Sequence, residues 1–325
     1  MSDFWQDRRV FVTGASGLIG GWLINELKKK KAEIIILLRD WVSTSMVLSS
    51  SEINKITIVN GDLSDPKQLE RILCEYEIKN LIHLAAQTIV PIANENPLST
   101  FESNVRGTWN LLEACRNVKS IESIVIASSD KAYGHSLKLP YKEDSPLRPV
   151  YPYDVSKACA EMVGVSYAKT FDLPIAITKC GNLYGGGDLN WNRLIPGTIR
   201  SMIRGEIPII RSNGKLIRDY IYVEDVVKAY VLLSRELSSN SKYVGEAFNF
   251  SNETPVNVMN IVKLIIKKFK KKIEPIIEDK IKGEIINQFL DSSKAKKELG
   301  WSPIFSLESG LDKTISWYED YFIVK

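Results

Sequence analysis

In the first half of the chain, short apolar runs alternate with longer stretches whose apolar residues recur at helical spacing. The runs at 10–13, 33–38, 56–59, 80–84, 123–127 and 175–179 are rich in Val and Ile and bounded by Gly, Asp or Ser, which predicts buried strands. The stretches at 18–30, 66–75, 99–117 and 153–170 predict helices. Strands alternating with helices of that length imply βαβ units, and so a doubly wound α/β fold with helices on both faces of a parallel sheet. The second half is less regular. A Gly-rich loop at 181–188 precedes a helix near 195–204, and 218–233 reads as a strand, a turn and a helix. Residues 245–251 read as another strand, and 257–270 and 292–299 as helices. This suits a smaller lobe whose chain returns at least once to the main sheet.

The 325 residues are enough for about two domains, or for one large domain with an annex. A hydrophobic content of 44% with 25% charged residues excludes a disordered chain. No apolar run reaches the roughly 18–20 residues of a membrane helix. Residues 1–14 pass straight into the first strand, so neither a secretory signal nor a membrane partner is expected. The net charge of +4 is too small to argue for a nucleic-acid partner, and the lysines at 28–31 and 267–272 read as solvated helix faces or ends. Cys74, Cys115, Cys159 and Cys180 form no CxxC pair, and His83 and His135 are the two histidines, so no metal site is expected. Four reduced thiols in a cytoplasmic protein is the simplest account.

Chemistry first shows at residues 13–20, TGASGLIG, which follow a strand and open a helix. Glycines in this spacing allow a tight turn, close approach of backbone to a pyrophosphate, and close helix–sheet packing, while the helix N-terminus offers free N–H groups to phosphate. Gly14, Ser16, Gly17, Leu18, Ile19 and Gly20 are therefore candidate dinucleotide-binding residues. After the second strand, Arg39 suits the 2′-phosphate of NADP and Asp40 the 2′-hydroxyl of NAD, with a slight lean to NADP from Arg39. Asp62 and Leu63, after the third strand, are expected to face the adenine.

Tyr153 and Lys157 lie four apart on one face of a predicted helix. An ammonium beside the phenol, with a positive nicotinamide ring, is expected to lower the tyrosine pKa below its usual value of about 10, so that the phenolate can take a proton from a sugar hydroxyl. Ser128 to Lys131, Ser-Ser-Asp-Lys, stand at a strand end upstream.

With these motifs in place the chain resembles the extended short-chain dehydrogenase/reductase family over essentially its whole length. The resemblance is carried by TGASGLIG, GDLSD (61–65), HLAAQ (83–87), NVRGTWNLLEA (104–114), SSDKAYG (128–134), YDVSK (153–157), GNLYGGGD (181–188) and RDYIYVED (218–225). It implies a Rossmann-like fold, a tightly bound and recycled NAD or NADP, a nucleotide-sugar substrate and a homodimer built through a four-helix bundle. It also implies Ser129 as the substrate-orienting hydroxyl, Tyr153 as the base, Lys157 as the cofactor-binding lysine, and Leu84, Ala85 and Ala86 at the cofactor. The expected organisation is a dinucleotide-binding domain over 1–180 with a returning segment near 216–250, and a substrate-binding lobe over 181–215 and 251–325.

Residues 130 and 131 direct the choice within the family. The Ser-Asp-Lys pattern is similar to the CDP-glucose 4,6-dehydratases. The dTDP-glucose enzymes carry Asp-Glu there, so Lys131 departs from their pattern. Dehydration needs two proton transfers beyond C4 oxidation, which makes Asp130 the candidate acid if its pKa is raised and Lys131 the candidate base if its pKa is lowered. The alternative is a nucleotide-sugar epimerase acting at C4 or C2, and a scaffold without turnover is a third reading. Gln87, Asn182 and Arg218 are candidate substrate-binding residues, with Arg193 and Arg211 as further candidates for the diphosphate. His83 reads as a hydrogen-bonding histidine near the cofactor, and His135 has no assigned role.

Overall fold

Alternate residues of each central strand are apolar on both faces, so the sheet must be covered twice, and it is. The computed structural model describes residues 3–280 and 284–323. Residues 1–2 and 324–325, at the outer ends of the two expected domains, and 281–283 lie outside the described residues. Strands β1 (Arg9–Thr13), β2 (Glu33–Leu38), β3 (Thr57–Asn60), β4 (Asn80–His83), β5 (Ser123–Ala127) and β6 (Ile175–Cys180) are followed by two outside the main sheet or its order, β7 (Asn182–Tyr184) and β8 (Ile209–Ile210). Then come β9 (Ile217–Arg218), β10 (Tyr220–Tyr222) and β11 (Ala247–Phe250). The main sheet has seven parallel strands in the order β11-β6-β5-β4-β1-β2-β3. The order reverses beside β1, where open α/β sheets leave a crevice at the carboxyl ends of the strands.

Helices α1 (Leu18–Lys29), α2 (Pro66–Glu75), α3 (Val90–Glu95), α4 (Pro97–Phe101), α5 (Gly107–Arg116) and α6 (Pro152–Phe171) belong to the first half. The second half adds α7 (Leu194–Arg204), α8 (Val223–Ser239), α9 (Val258–Lys268), α10 (Ser293–Leu299) and α11 (Leu307–Ile323). Val10 and Val12 of β1 pack with Leu23 and Leu27 of α1 and Val227 of α8, while Phe11 between them packs with Leu69 of α2 and Leu111 of α5. The period of two thus splits one strand between two cores. At about 1.5–3 kcal/mol per fully buried aliphatic side chain, these two layers are what hold the sheet. A third core, of Ile195, Ile199, Tyr222, Ile261, Leu311 and Tyr318 among others, sits under α7, α9 and α11.

Several elements differ from expectation, among them β7 in the expected Gly-rich loop and the unexpected α3. The stretch 99–117 is not one helix, because a π turn at Glu102–Arg106 separates α4 from α5. Helix α11 was not expected, since Trp317, Tyr318, Tyr321 and Phe322 crowd its sequence and blur the helical period, although only some of its positions are buried. Helix α6 comes unusually close to the sheet. A Cβ on Gly164 would lie 2.8 Å from the Ile126 side chain, so glycine sets the distance at which α6 carries its first turn to the strand ends.

Candidate active site

The turn after β1 needs its glycines for separable reasons. Gly14 has φ +75° and a Cβ there would lie 2.6 Å from the Ala85 nitrogen; at Gly20 a Cβ would lie 2.4 Å from the Gly14 oxygen. Gly17 differs. It is the N-cap of α1, no side chain caps the helix, and a Cβ there would meet only the Gly14 oxygen, at 3.5 Å. The first turn of α1 therefore presents N–H groups to open space. That space is a cavity of about 460 Å³ at the carboxyl edge of the sheet. Gly14, Ser16 to Gly20 and Leu84 to Ala86 line it, together with Ser129, Asp130, Lys131, Tyr153, Lys157, Asn182 and Arg193. A second cavity, of about 510 Å³, shares Lys131, Asn182 and Arg193 and adds Arg211 and Arg218.

Behind the turn, His83 is buried and held at both nitrogens. Nε2 lies 2.9 Å from Thr108 Oγ1, whose hydrogen is given to the Asn104 carbonyl, so Nε2 is the protonated nitrogen and Nδ1 accepts from Thr13 Oγ1 at 2.7 Å. Burial holds this ring neutral, with its pKa pushed down to about 3. Thr13 Oγ1 in turn accepts the Ala85 N–H. His83 thus acts as expected, as a hydrogen-bonding group under the strand ends.

The remaining nucleotide candidates lie apart from the cavity lining. Arg39 and Asp40 are exposed, and the Arg39 Nε donates to Asp40 at 2.6 Å with Asp62 at 4.0 Å. Asp62 also accepts the Ser64 N–H. The Leu63 side chain is buried against Gly107, and its carbonyl accepts from Asn110.

The predicted chemical group converges. Ser129 caps the 3₁₀ turn Asp130–Tyr133 through its hydroxyl, which accepts the Lys131 N–H at 3.2 Å. The same hydroxyl lies 3.2 Å from Asp130 Oδ1 and hydrogen-bonds with the Tyr153 phenol. Lys157 is buried, donates to the Ala127 carbonyl at 2.7 Å, and is lowered by burial to about 8. For Tyr153 the expected lowering calls on a bound nicotinamide ring, and the chain's own groups act the other way. Burial pushes the phenol up to about 12, the Ser129 hydrogen bond is the largest opposing influence, and Asp130 pushes it further up. Asp130 is buried and raised by desolvation against the pull of Lys131, the direction its candidate role requires.

On the substrate side, Arg193 lies 2.9 Å from Asp188 and Nη2 reaches Thr88 at 3.4 Å. Arg218 is buried, donating to the carbonyls of Ile217 and Ile286 and to Glu284 at 3.1 Å. Arg211 is exposed and donates to Asn192. Gln87 lines neither cavity, although Ala86 and Thr88 on either side of it line the first. Its N–H and C=O are taken by Asn104 of the π turn, and its Oε1 accepts the Ile89 N–H.

Ser128 and Tyr220, inside quoted motifs but given no role, line the first cavity, as do Thr88 and Tyr230, which carry no sequence signal of their own. Asn104 ties Gln87 to Ser156 of α6, one turn from Tyr153, and the π turn that aims it breaks the period of 99–117. Behind Ser128 lies a buried ion pair: Ser128 donates to Glu161 at 2.8 Å, Glu161 pairs with Lys179 at 2.6 Å, and the Lys179 ammonium sits 4.0 Å over the Tyr133 ring. Among the described residues no helix is long and apolar enough to cross a membrane, and no cluster of metal-ligating side chains occurs.

A seven-stranded parallel sheet, an uncapped glycine turn at the head of α1, and serine, tyrosine and lysine gathered at the strand ends place the chain among the extended short-chain dehydrogenases/reductases. More narrowly, residues 11–314 match the family described as GDP-mannose 4,6 dehydratase, and the chain belongs to it. It is 30% identical over 331 residues to the CDP-glucose 4,6-dehydratase of Salmonella typhimurium, covering 98% of this chain and 92% of that protein. A structure of UDP-glucose 4-epimerase from Thermotoga maritima with UDP-glucose matches with a TM-score of 0.87 at 27% identity, over 97% of this chain and 99% of that one. The dTDP-glucose 4,6-dehydratase of Bacillus anthracis in complex with NAD matches with a TM-score of 0.84 at 27% identity, over 96% of this chain and 97% of that one. The chain is thus an enzyme of the nucleotide-sugar 4,6-dehydratase and 4-epimerase group.

Proposed function

We propose that this protein is an NAD-dependent nucleoside-diphosphate-hexose 4,6-dehydratase. The observation that carries the reading is that Asp130 and Lys131 line the same cavity as Ser129, Tyr153 and Lys157. An epimerase needs the last three; the first two add the proton transfers of elimination. The cofactor fits the chain's own cradle: the open face at Gly17 and the uncapped N–H groups of α1 suit a pyrophosphate. When bound, NAD takes up and returns a hydride. Tyr153 receives the C4 hydroxyl proton, with Ser129 orienting that hydroxyl and Lys157 holding the ribose. Lys131 removes the C5 proton, made acidic by the C4 ketone, and Asp130 protonates the C6 hydroxyl, which leaves as water. Lys131 would return its proton to C5, and with the hydride that bound NAD would supply at C6 the product would be a 4-keto-6-deoxy sugar nucleotide.

NAD is favoured over NADP because Arg39 is already claimed by Asp40 and Asp62. A 2′-phosphate there would meet two carboxylates as well as the guanidinium. The second cavity, with Asn182, Arg193, Arg211 and Arg218, suits the sugar diphosphate and its nucleoside. In this reading the sheet and its helices form the dinucleotide domain, and the core under α7, α9 and α11 is the substrate lobe. The half-exposed Trp109 of α5 and Met162 and Phe171 of α6 suit a homodimer through these helices. Four unpaired cysteines suit the reducing cytoplasm.

The test is incubation with CDP-, GDP-, dTDP- and UDP-hexoses, read by mass. Loss of one water from any of them supports the proposal, and loss from none overturns it. The second reading, a 4-epimerase, draws on the likeness to the Thermotoga maritima enzyme. It predicts a product of unchanged mass and retained activity in Asp130→Asn and Lys131→Met.

A further inference from the structure

Arg193, Arg200, Arg211 and Arg218 line the second cavity, and the protein already engages three of them. Arg193 lies 2.9 Å from Asp188, Arg211 donates to Asn192, and Arg218 donates to Glu284. Arg200 of α7 is different. Among the described residues no carboxylate pairs with it, and its Nε is buried with no hydrogen-bond partner. Its guanidinium lies over the Trp191 ring, 5.3 Å from the centre. Trp191 is itself packed against Tyr318, Tyr321 and Phe322 of α11. The indole is thus a fixed platform, and stacking on it orients the guanidinium without neutralising it. A buried donor with no acceptor costs free energy, and an unneutralised guanidinium in a cavity wall suits an anion that brings the acceptor.

Helix α7 measures where that anion sits. Arg193 and Leu194, at its start, line both cavities together with Lys131, Asn182 and Tyr220, so the cavities meet there. Gly197, Thr198, Arg200 and Ser201 line the second cavity alone. At roughly 1.5 Å per residue, Arg200 stands about 9 Å along the helix from Leu194. A hexose at the junction reaches that far with its diphosphate. The carboxylates that also line this cavity, Glu206, Glu278 and Glu284, belong to the chain beyond α7, and Glu278 and Glu284 are paired with Lys280 and Arg218. We propose that Arg200 binds the nucleoside-side phosphate of the sugar nucleotide, held on Trp191 and donating from the guanidinium edge that holds its unpartnered Nε. The inference rests on the assignment of this cavity to the diphosphate, and it holds for a dehydratase and for a 4-epimerase alike.

The experiment is calorimetric binding of CDP, GDP, dTDP and UDP, and of the matching monophosphates, to the NAD-loaded protein. It compares the wild type with Arg200→Gln, Arg200→Lys and Arg204→Gln, each checked for folding by thermal melt. Arg204 lies one turn further on, over the Phe322 ring and outside both cavities, so its variant reports the loss of a helix charge alone. For the nucleotide that the wild type binds most tightly, Arg200→Gln is expected to weaken the diphosphate and the monophosphate by a similar factor, about 10–100-fold, because both carry the nucleoside-side phosphate. Arg200→Lys keeps the charge and loses the fork, so it should recover part of that loss. Should Arg200→Gln not fold, Arg200→Lys carries the test with a loss of about fivefold. In turnover, KM should rise by the same factor with kcat within about twofold, since the contact lies away from the reacting carbons. Three results would each overturn the inference while the cavity assignment stands: wild-type affinity in Arg200→Gln, an equal loss in Arg204→Gln, or a loss confined to the diphosphate. If the wild type binds no nucleotide at all, the cavity assignment fails and the inference falls with it.

Discussion

At the scale of single residues, burial competes with charge. The chain's own groups leave Tyr153 near 12, because desolvation outweighs the Ser129 hydrogen bond, so the proposed base depends on the positive nicotinamide ring of bound NAD to bring the phenol down. Tyr153→Phe is expected to lose activity by about 10²–10⁴-fold while binding NAD normally, measured by turnover against cofactor affinity. The glycines separate in the same way. Gly14→Ala puts a side chain at φ +75° and 2.6 Å from backbone, so it should lower the melting temperature. Gly17→Ala meets nothing of the protein closer than 3.5 Å, so it should melt like the wild type but bind NAD more weakly, as read by calorimetry. His83 is held neutral with its pKa near 3 by burial, so its contribution to stability is present above its unfolded pKa of about 6.5 and is lost as pH falls below that. Relative to a His83→Asn variant, urea unfolding should show the wild type losing about 2 kcal/mol more between pH 6.5 and pH 5.

At the scale of elements, buried polar links aim the site. Helix α6 brings Tyr153, Asp154 and Lys157 to the strand ends, and Gly164 sets how closely it may lie on the sheet. The Glu161–Lys179 pair ties α6 to β6 and, through Ser128 and the Tyr133 ring, to the turn that carries Asp130 and Lys131. Breaking such a pair leaves an uncompensated buried charge. Lys179→Met alone should cost about 3–5 kcal/mol by denaturant unfolding, and Glu161→Leu combined with Lys179→Met should recover most of it. If the single variant were no less stable than the double one, the pair would have no part in joining α6 to the sheet.

At the scale of the molecule, two cavities adjoin: one lined by the glycine turn and the strand ends, the other by Arg193, Arg211 and Arg218. Trp109 and Met162, exposed by 43% and 55%, lie on neighbouring helices of the sheet's outer layer. If the proposed homodimer forms through these helices, light scattering should find a dimer for the wild type and a monomer for Trp109→Glu, and an unchanged mass would remove that face from the interface.

The strand order along the chain, the glycine turn and the Tyr153–Lys157 spacing were legible in the sequence because each is local, a period of two or of four or a turn that only glycine can make, whereas the role expected of Ser129 came from the resemblance to the family. The parallel sheet followed from the alternation of those periods. What the sequence could not contain were relations between distant residues. Arg39 gains Asp62 as a neighbour only when β2 and β3 pair, Asn104 reaches the Gln87 backbone only where the π turn places it, and α11 is defined by the core it covers and not by its own period. Electrostatics belong to the same group. Whether a phenol is raised or lowered, and whether a carboxyl such as Asp154 has a partner, depends on how deeply the folded chain buries it and on which charges long-range contacts bring near.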